Sequence, residues 1–188
     1  MANYKIAIVV GSLRKESYNL KLAKAVAGFL PDNFQYEFLD ISKLPLFNQD
    51  KEQEPNEEVA RFKQAIKAAD GVFFFTAEYN RSIPGVLKNA IDVGSRPYGD
   101  NAWADKPAVM GGISIGAMGT CMAQQHLRCV LAFLNMPTMN QPELYLQNRE
   151  GMFDEKGKVG IENSRQFIKG WTDNAAQWIV CQVNKAKK

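Results

Sequence analysis

The stretch KIAIVVGSLRKESYN, residues 5–19, joins a continuous apolar run to a polar loop with a single glycine. No polar residue interrupts the run from Ile6 to Val10. Strands of this kind are covered by helices on both faces, as in parallel α/β sheets. Apolar residues at helical spacing follow the loop. Residues 5–19 therefore predict the first strand, the first loop and the start of the first helix of an α/β protein.

Apolar runs of strand length alternate with amphipathic stretches of helix length along the rest of the chain. Strands are predicted at residues 4–10, 34–39, 71–76, 107–113 and 136–140. Helices are predicted at residues 17–30, 55–69, 84–95, 119–134 and 161–183. Five such units predict one domain, residues 1–188, with a doubly wound parallel sheet of strand order 2-1-3-4-5 and helices on both faces. The ligand crevice of this fold lies at the carboxyl ends of strands 1 and 3.

The composition is that of an ordinary globular protein and excludes several classes of function. Of 188 residues, 46% are hydrophobic and 23% are charged, with a formal net charge of +3. This mildly basic chain lacks the blocks of Lys and Arg that nucleic-acid binding requires. We therefore expect no nucleic-acid partner.

The cysteines and the apolar runs bear on the compartment. Cys121, Cys129 and Cys181 form no CxxC motif and are odd in number, which favours a reducing compartment. The chain does not begin with a secretory pattern, and no apolar run approaches the roughly 20 residues that span a bilayer. We expect a cytoplasmic protein without a membrane span.

The first loop has the chemistry of an anion site at a helix N-terminus. Backbone N–H groups and the helix dipole favour negative charge there. Ser12, Ser17 and Asn19 add donors, and Arg14 adds a guanidinium suited to phosphate. In a purely structural interpretation, which stays open, Ser17 only caps the helix and Arg14 only faces solvent.

Three common alternatives for such a loop do not fit its spelling. A dinucleotide fingerprint needs G-x-G-x-x-G and a P-loop needs G-K-[ST], but this loop contains Gly11 alone. A receiver domain would need acidic residues after strands 1 and 3. Those positions hold Gly11-Ser12 and Thr76-Ala77.

The second crevice loop, TAEYNRSIPGVLKNAIDVGS at residues 76–95, follows the third predicted strand. Glu78, Tyr79 and Asn80 present an aromatic face, an amide and backbone N–H groups, which suit a flat heteroaromatic ring. Pro84 fits the first helical turn, and Ser82 is predicted to cap that helix.

Two motifs together resemble those of the NADPH-dependent FMN reductase family, in particular its quinone and chromate reductase branch. They are G-S-x-R-x-x-S-x-N at 11–19 and E-Y-N-x-S-x-P-x-x-L-K-N-A-I-D at 78–92. The resemblance implies a flavodoxin-like fold with FMN as cofactor and NAD(P)H as co-substrate. One departure is Ala77, which stands where the family usually has a proline and loosens the loop backbone.

The resemblance also implies which residues hold FMN. Its phosphate is assigned to Ser12, Arg14, Ser17 and Asn19, and Leu20 is counted among the residues that bind the cofactor. Its isoalloxazine is assigned to Glu78, Tyr79 and Asn80. A third loop, GGISIGAMGT at 111–120, is carried over through Ser114, Gly116 and Gly119. Glycines before a helix are also ordinary turn residues, so a structural role for this loop stays open.

The implied activity is NAD(P)H-dependent, two-electron reduction of quinones, free flavin or chromate-like acceptors. Because the flavin supplies the redox chemistry, no catalytic side chain and no metal ligand are predicted. No second domain for a dinucleotide is expected, so both substrates should use one flavin face in turn, with ping-pong kinetics. A flavodoxin-like electron carrier and a flavin-bound regulatory module remain as alternatives, although Arg14 and the pI near 8.7 favour the enzyme.

The remaining conspicuous residues receive structural interpretations. His126 is expected to fill an interface or the core, and Cys121 to be structural despite its place near a helix N-terminus. Arg128 and Glu143 lie where the quinone reductase branch assembles subunits, so the resemblance implies a homodimer or homotetramer. Arg81 is left to a neighbouring subunit or an anionic substrate.

Overall fold

Five strands and five α-helices alternate along the chain in a computed structural model that describes residues 3–186. The strands are β1 Tyr4–Gly11, β2 Phe34–Leu39, β3 Gly71–Thr76, β4 Ala108–Ser114 and β5 Leu144–Gln147. The helices are α1 Tyr18–Ala27, α2 Glu57–Ala68, α3 Gly85–Ser95, α4 Cys121–Phe133 and α5 Glu162–Ala186. A short 3₁₀ helix, Gln49–Lys51, lies in the long connection between β2 and α2.

The strands form one parallel sheet of order β2-β1-β3-β4-β5. This order confirms the predicted flavodoxin-like, doubly wound fold. One apolar cluster packs α2, α3 and α4 on one face of the sheet, and a second packs α1 and α5 on the other. Because both faces are covered, all six residues of β3 are buried, as its uninterrupted GVFFFT sequence predicts.

The fifth strand is not where the sequence predicted it. Residues 136–140 make only a single bridge to β4, between Ala108 and Thr138, whereas Leu144–Gln147 forms the ladder. Proline has no N–H to donate to a ladder, and Pro137 and Pro142 interrupt the predicted segment and its continuation. Leu144 and Leu146 supply the buried alternate side chains that an edge strand needs.

The helix starts agree with the prediction in one case and contradict it in another. The Ser17 hydroxyl caps α1 by accepting from the N–H of Leu20 at 3.3 Å, the role that the structural interpretation of this loop gives it. Ser82 does not cap α3, because Pro84 occupies the N-cap position and makes no side-chain cap bond. The chain closes a tight turn at Ser82 before α3 begins, which moves the serine two residues away from the helix end.

The longest helix, α5, lies along the sheet and is amphipathic. Trp171 is buried and meets Phe73 and Phe75 of β3 edge-on, at ring-centroid distances of 6.2 and 6.4 Å. Its indole N–H donates to the carbonyl of Pro142 at 2.9 Å. Within residues 3–186, no helix combines the length and the apolar composition needed to cross a membrane.

Candidate functional site

Three loops meet at the carboxyl edge of the sheet. Gly11 at the end of β1 is paired with Thr76 at the end of β3, and Phe75 is paired with Gly111 of β4. Since the strands are parallel, the loops that follow them start side by side. The structure therefore brings the first loop (residues 11–17), the second loop (77–84) and the third loop (115–120) together at the predicted crevice.

The first turn of α1 has backbone donors to offer. Ser17 accepts the N–H of Leu20 through its hydroxyl and that of Lys21 through its carbonyl. Within the described residues, the N–H groups of Tyr18 and Asn19 make no hydrogen bond. These donors lie at the positive end of the helix dipole, where anions bind. Tyr18 was missed by the sequence analysis because a backbone donor leaves no signature in its side chain.

The polar side chains of the first loop fall into two groups. Ser12 is half-buried and Arg14 is exposed, with its guanidinium 5.1 Å from the centroid of the Tyr18 ring. Asn19 is buried and serves the fold: its amide donates to the carbonyl of Ile113 and accepts the N–H of Ile113, both at 3.0 Å. Asn19 was predicted as a side-chain donor, but the structure leaves it chiefly its backbone N–H, because its amide ties α1 to β4.

The second loop contains a tight turn with an uncommon backbone. The N–H of Tyr79 donates to the carbonyl of Ser82, and the N–H of Ser82 donates back to the carbonyl of Tyr79, both at 3.0 Å. The two residues between them, Asn80 and Arg81, have φ of 52° and 65°. Tyr79 exposes 54% of its surface at the rim of the crevice, so its ring is available to a flat ligand.

Glu78 contacts helix α4. Its carboxylate accepts the backbone N–H of Ala123 at 3.1 Å, and its side chain is only 12% exposed. Arg81 lies 3.9 Å from the other carboxylate oxygen. The predicted contact of Glu78 with a ring is therefore confined to its backbone or to the oxygen that faces Arg81.

His126 was expected in the core or an interface. It is exposed within this chain, which excludes the core, and its place in an interface stays a prediction. Its Nδ1 lies 2.9 Å from the hydroxyl of Ser82. The two residues are 44 positions apart, so no local pattern in the sequence predicts their contact. The pair joins the second loop to α4.

In the third loop, the predicted residues play unequal parts. The Ser114 hydroxyl donates to the carbonyl of Gly116 at 3.1 Å, and a Cβ at Gly116 would meet only that hydroxyl, at 3.7 Å. Gly119 has a φ of 56°, and a Cβ there would lie 2.6 Å from the backbone nitrogen of Leu146. Gly119 is thus explained by its packing against β5, whereas Ser114 and Gly116 stay open to a ligand.

A polar cluster on α4 and β5 lies beside the third loop. Arg128 lies 3.8 Å from Glu143, and the phenol of Tyr145 donates to Glu143 at 2.6 Å. Burial, together with this hydrogen bond, raises the pKa of Tyr145 to about 12. Cys121, half-buried, is the first residue of α4 and is a free thiol.

The crevice fits a phosphorylated, flat aromatic ligand. One end offers the α1 N–H groups, the Ser12 hydroxyl and the Arg14 guanidinium, which is the donor set for a phosphate. The crevice loops themselves carry large apolar side chains with at least half of their surface exposed, namely Leu13, Tyr79, Ile115 and Met118. Such a donor set beside an apolar rim matches FMN.

Comparison with known proteins agrees with this geometry. The model of the NADPH-dependent FMN reductase family matches residues 4–151. The chain is 47% identical to a 2-hydroxy-1,4-benzoquinone reductase of Burkholderia sp, over 93% of this chain and 96% of that protein. It is 46% identical to a quinone reductase of Pseudomonas putida, over 97% of both chains.

A solved structure of a flavoenzyme also resembles this chain over nearly its whole length. The flavoenzyme NAD(P)H:(acceptor) oxidoreductase FerB of Paracoccus denitrificans superposes with a TM-score of 0.90 at 38% identity, covering 95% of this chain and 98% of that chain. The sequence motifs, the fold and the residues of the crevice thus all indicate the same family. The protein belongs to the NADPH-dependent FMN reductase family and is an NAD(P)H-dependent flavoenzyme with FMN as its cofactor.

Proposed function

We propose that the protein transfers two electrons from NAD(P)H to quinones. The observation that carries this proposal is the meeting of three loops over the free N–H groups of α1, with an exposed tyrosine at the rim. Relatives at 46% and 47% identity that are named quinone reductases support the choice of acceptor. Free flavin and chromate-like oxyanions are further acceptors that we propose from the family resemblance.

The first loop is proposed to hold the phosphate. Arg14 would supply its charge and Ser12 a hydroxyl, while Tyr18 and Asn19 would supply backbone N–H groups. Ser17 orients these donors by capping α1. Leu20, half-buried in the first turn, would pack beside the ribityl chain. These assignments follow from the anion-binding chemistry of a helix N-terminus.

The second and third loops are proposed to hold the isoalloxazine ring. Tyr79 and Asn80 would flank it from the turn after β3, Ser114 from the end of β4 and Gly116 from the third loop. FMN, when bound, supplies the hydride chemistry. The protein's part is to orient the ring, to exclude water from one of its faces and to present backbone donors toward the charge that develops on it.

A direct test measures FMN binding and turnover in one preparation. The apo-protein is titrated with FMN by flavin fluorescence, and NADPH-dependent reduction of 1,4-benzoquinone is then followed at rising FMN occupancy. We expect saturable binding and a rate proportional to occupancy. FMN binding without NADPH turnover would instead indicate an electron carrier.

We also propose that the protein is a cytoplasmic homodimer or homotetramer. The free thiols of Cys121, Cys129 and Cys181 support a reducing compartment. The family resemblance at Arg128 and Glu143 supports assembly. Light scattering coupled to size exclusion gives the assembly state, and a mass of one chain, 21.1 kDa, would contradict the proposal.

A further inference from the structure

The turn that carries Tyr79 and Asn80 needs support from outside itself. Asn80 and Arg81 are consecutive left-handed residues. Asparagine adopts this conformation readily, but for arginine it is uncommon and unfavourable. Such a backbone persists when the surrounding structure holds it. The residues on either side of the turn show where the support comes from.

Glu78 supports the turn on its N-terminal side. Its carboxylate accepts the N–H of Ala123 at 3.1 Å, a donor in the first turn of α4 that has no partner within that helix. Thr120 occupies the N-cap position of α4 in a left-handed conformation, with φ of 72°, and makes no side-chain cap bond; its hydroxyl accepts from the side-chain amide of Gln124. A carboxylate is favoured at a helix N-terminus, so Glu78 caps α4 from another loop.

Ser82 supports the turn on its C-terminal side. Its hydroxyl lies 2.9 Å from Nδ1 of His126. His126 lies about one turn further along α4 than Ala123. The N-terminal half of one helix therefore contacts the residue before the turn, through a backbone N–H, and the residue that closes it, through a side chain.

We propose that Glu78 is a positioning residue, which caps α4 and thereby holds the Asn80–Arg81 turn in the conformation that binds FMN. The inference rests on the proposed FMN site. Because α4 begins where the third loop ends, the same carboxylate keeps the second and third loops in register. Ser82 and His126 form the second attachment. Glu78 thus acts on the flavin through the backbone of its neighbours.

The test compares two helix caps. Glu78→Ala removes the cap of α4, and Asn56→Ala removes the cap of α2, where Asn56 accepts the N–H of Val59 at 3.0 Å. Helix α2 lies between β2 and β3 in the sequence and is joined directly to none of the three crevice loops. We expect similar falls in the urea midpoint of the apo-proteins. Only Glu78→Ala should weaken FMN binding, by about 10- to 100-fold, as expected for one charge-assisted hydrogen bond.

Two further measurements separate positioning from general stability. Glu78→Gln keeps an acceptor for the Ala123 N–H, so its FMN affinity should lie between those of the wild type and Glu78→Ala. The visible circular dichroism of bound FMN should change in Glu78→Ala and stay unchanged in Asn56→Ala. A Gln variant that binds FMN no better than the Ala variant would overturn the capping role.

The remaining outcomes are equally decisive. If Glu78→Ala matches the wild type in FMN affinity, the inference is wrong and the proposed function stands. If the wild type binds no FMN, the proposed function itself fails. If Glu78→Ala does not fold, His126→Ala takes its place, because His126 is exposed and its substitution should not prevent folding. We expect His126→Ala to bind FMN about threefold more weakly than the wild type. An unchanged affinity would overturn the inference.

Discussion

Individual side chains of the first loop differ in what they can offer a ligand. Arg14 is exposed and has the Tyr18 ring 5.1 Å from its guanidinium carbon, so its charge remains available to an anion. Asn19 is buried and uses its amide on the backbone of Ile113. Both were predicted to bind the phosphate, Arg14 through its guanidinium and Asn19 through its amide, since both are polar residues close to a helix start.

Arg14→Ala should weaken FMN binding by roughly 10- to 150-fold, because a charge-assisted hydrogen bond contributes about 1.5–3 kcal/mol. Flavin fluorescence titration measures the effect. Lys24→Ala, which removes an exposed cation later in α1, is the matched control and should bind FMN as the wild type does. Equal affinities of the Arg14 variant and the wild type would remove Arg14 from the site.

Tyr145 should ionise late. Burial and the hydrogen bond to Glu143 raise its pKa from 10.0 to about 12. Its contribution to stability is complete below the unfolded value and is lost as the pH rises through the folded value. In an ultraviolet phenolate titration, the difference between wild type and Tyr145→Phe should show its step near pH 12. A step near pH 10 would mean that this phenol is not protected.

Among the elements, β5 shows why boundaries are hard to read from sequence. Residues 136–140 contain an apolar pair of methionines and resemble a short strand, yet Leu144–Gln147 makes the ladder. The deciding factor is register against β4, which places Leu144 opposite Gly111. A Cβ at Gly111 would lie 2.6 Å from the Leu144 side chain, so the two positions fit each other across 33 residues of chain. Local patterns carry no record of such pairing.

Gly119 and Gly116 should respond differently to alanine. Gly119→Ala places a Cβ against the backbone of β5 at a φ of 56° and should cost about 2–4 kcal/mol in the free energy of unfolding. Gly116→Ala meets only the Ser114 hydroxyl at 3.7 Å and should leave that free energy nearly unchanged. Urea denaturation of the apo-proteins measures both. A Gly119 variant as stable as the Gly116 variant would contradict the packing described for β5.

Across the whole molecule, the alternation of apolar and amphipathic segments was enough to predict five parallel strands, their order and the edge at which the loops meet, although the fifth strand lies at Leu144–Gln147. It also predicted which loops form the crevice, because that edge follows from strand order. The cross-connections were not predictable. Asn19 with Ile113, Glu78 with Ala123 and Ser82 with His126 join residues 44 to 94 positions apart. These contacts depend on packing that exists only in the folded chain.

One crevice serving both substrates should give ping-pong kinetics. NADPH and the quinone would then occupy the same face of the site in turn, so neither is bound while the other reacts. Initial rates are measured against NADPH at several fixed concentrations of 1,4-benzoquinone. Parallel lines in the double-reciprocal plot are expected. Lines that intersect would show that both substrates bind together, and would contradict a shared face.

The proposed function depends most on FMN being reduced in this crevice. The purified protein is saturated with FMN under anaerobic conditions, mixed with NADPH or NADH, and followed at about 450 nm, where oxidised flavin absorbs. We predict that the absorbance falls on mixing and returns when benzoquinone is added. A protein that cannot take up FMN, or whose bound flavin keeps its absorbance with both nucleotides, would contradict the account.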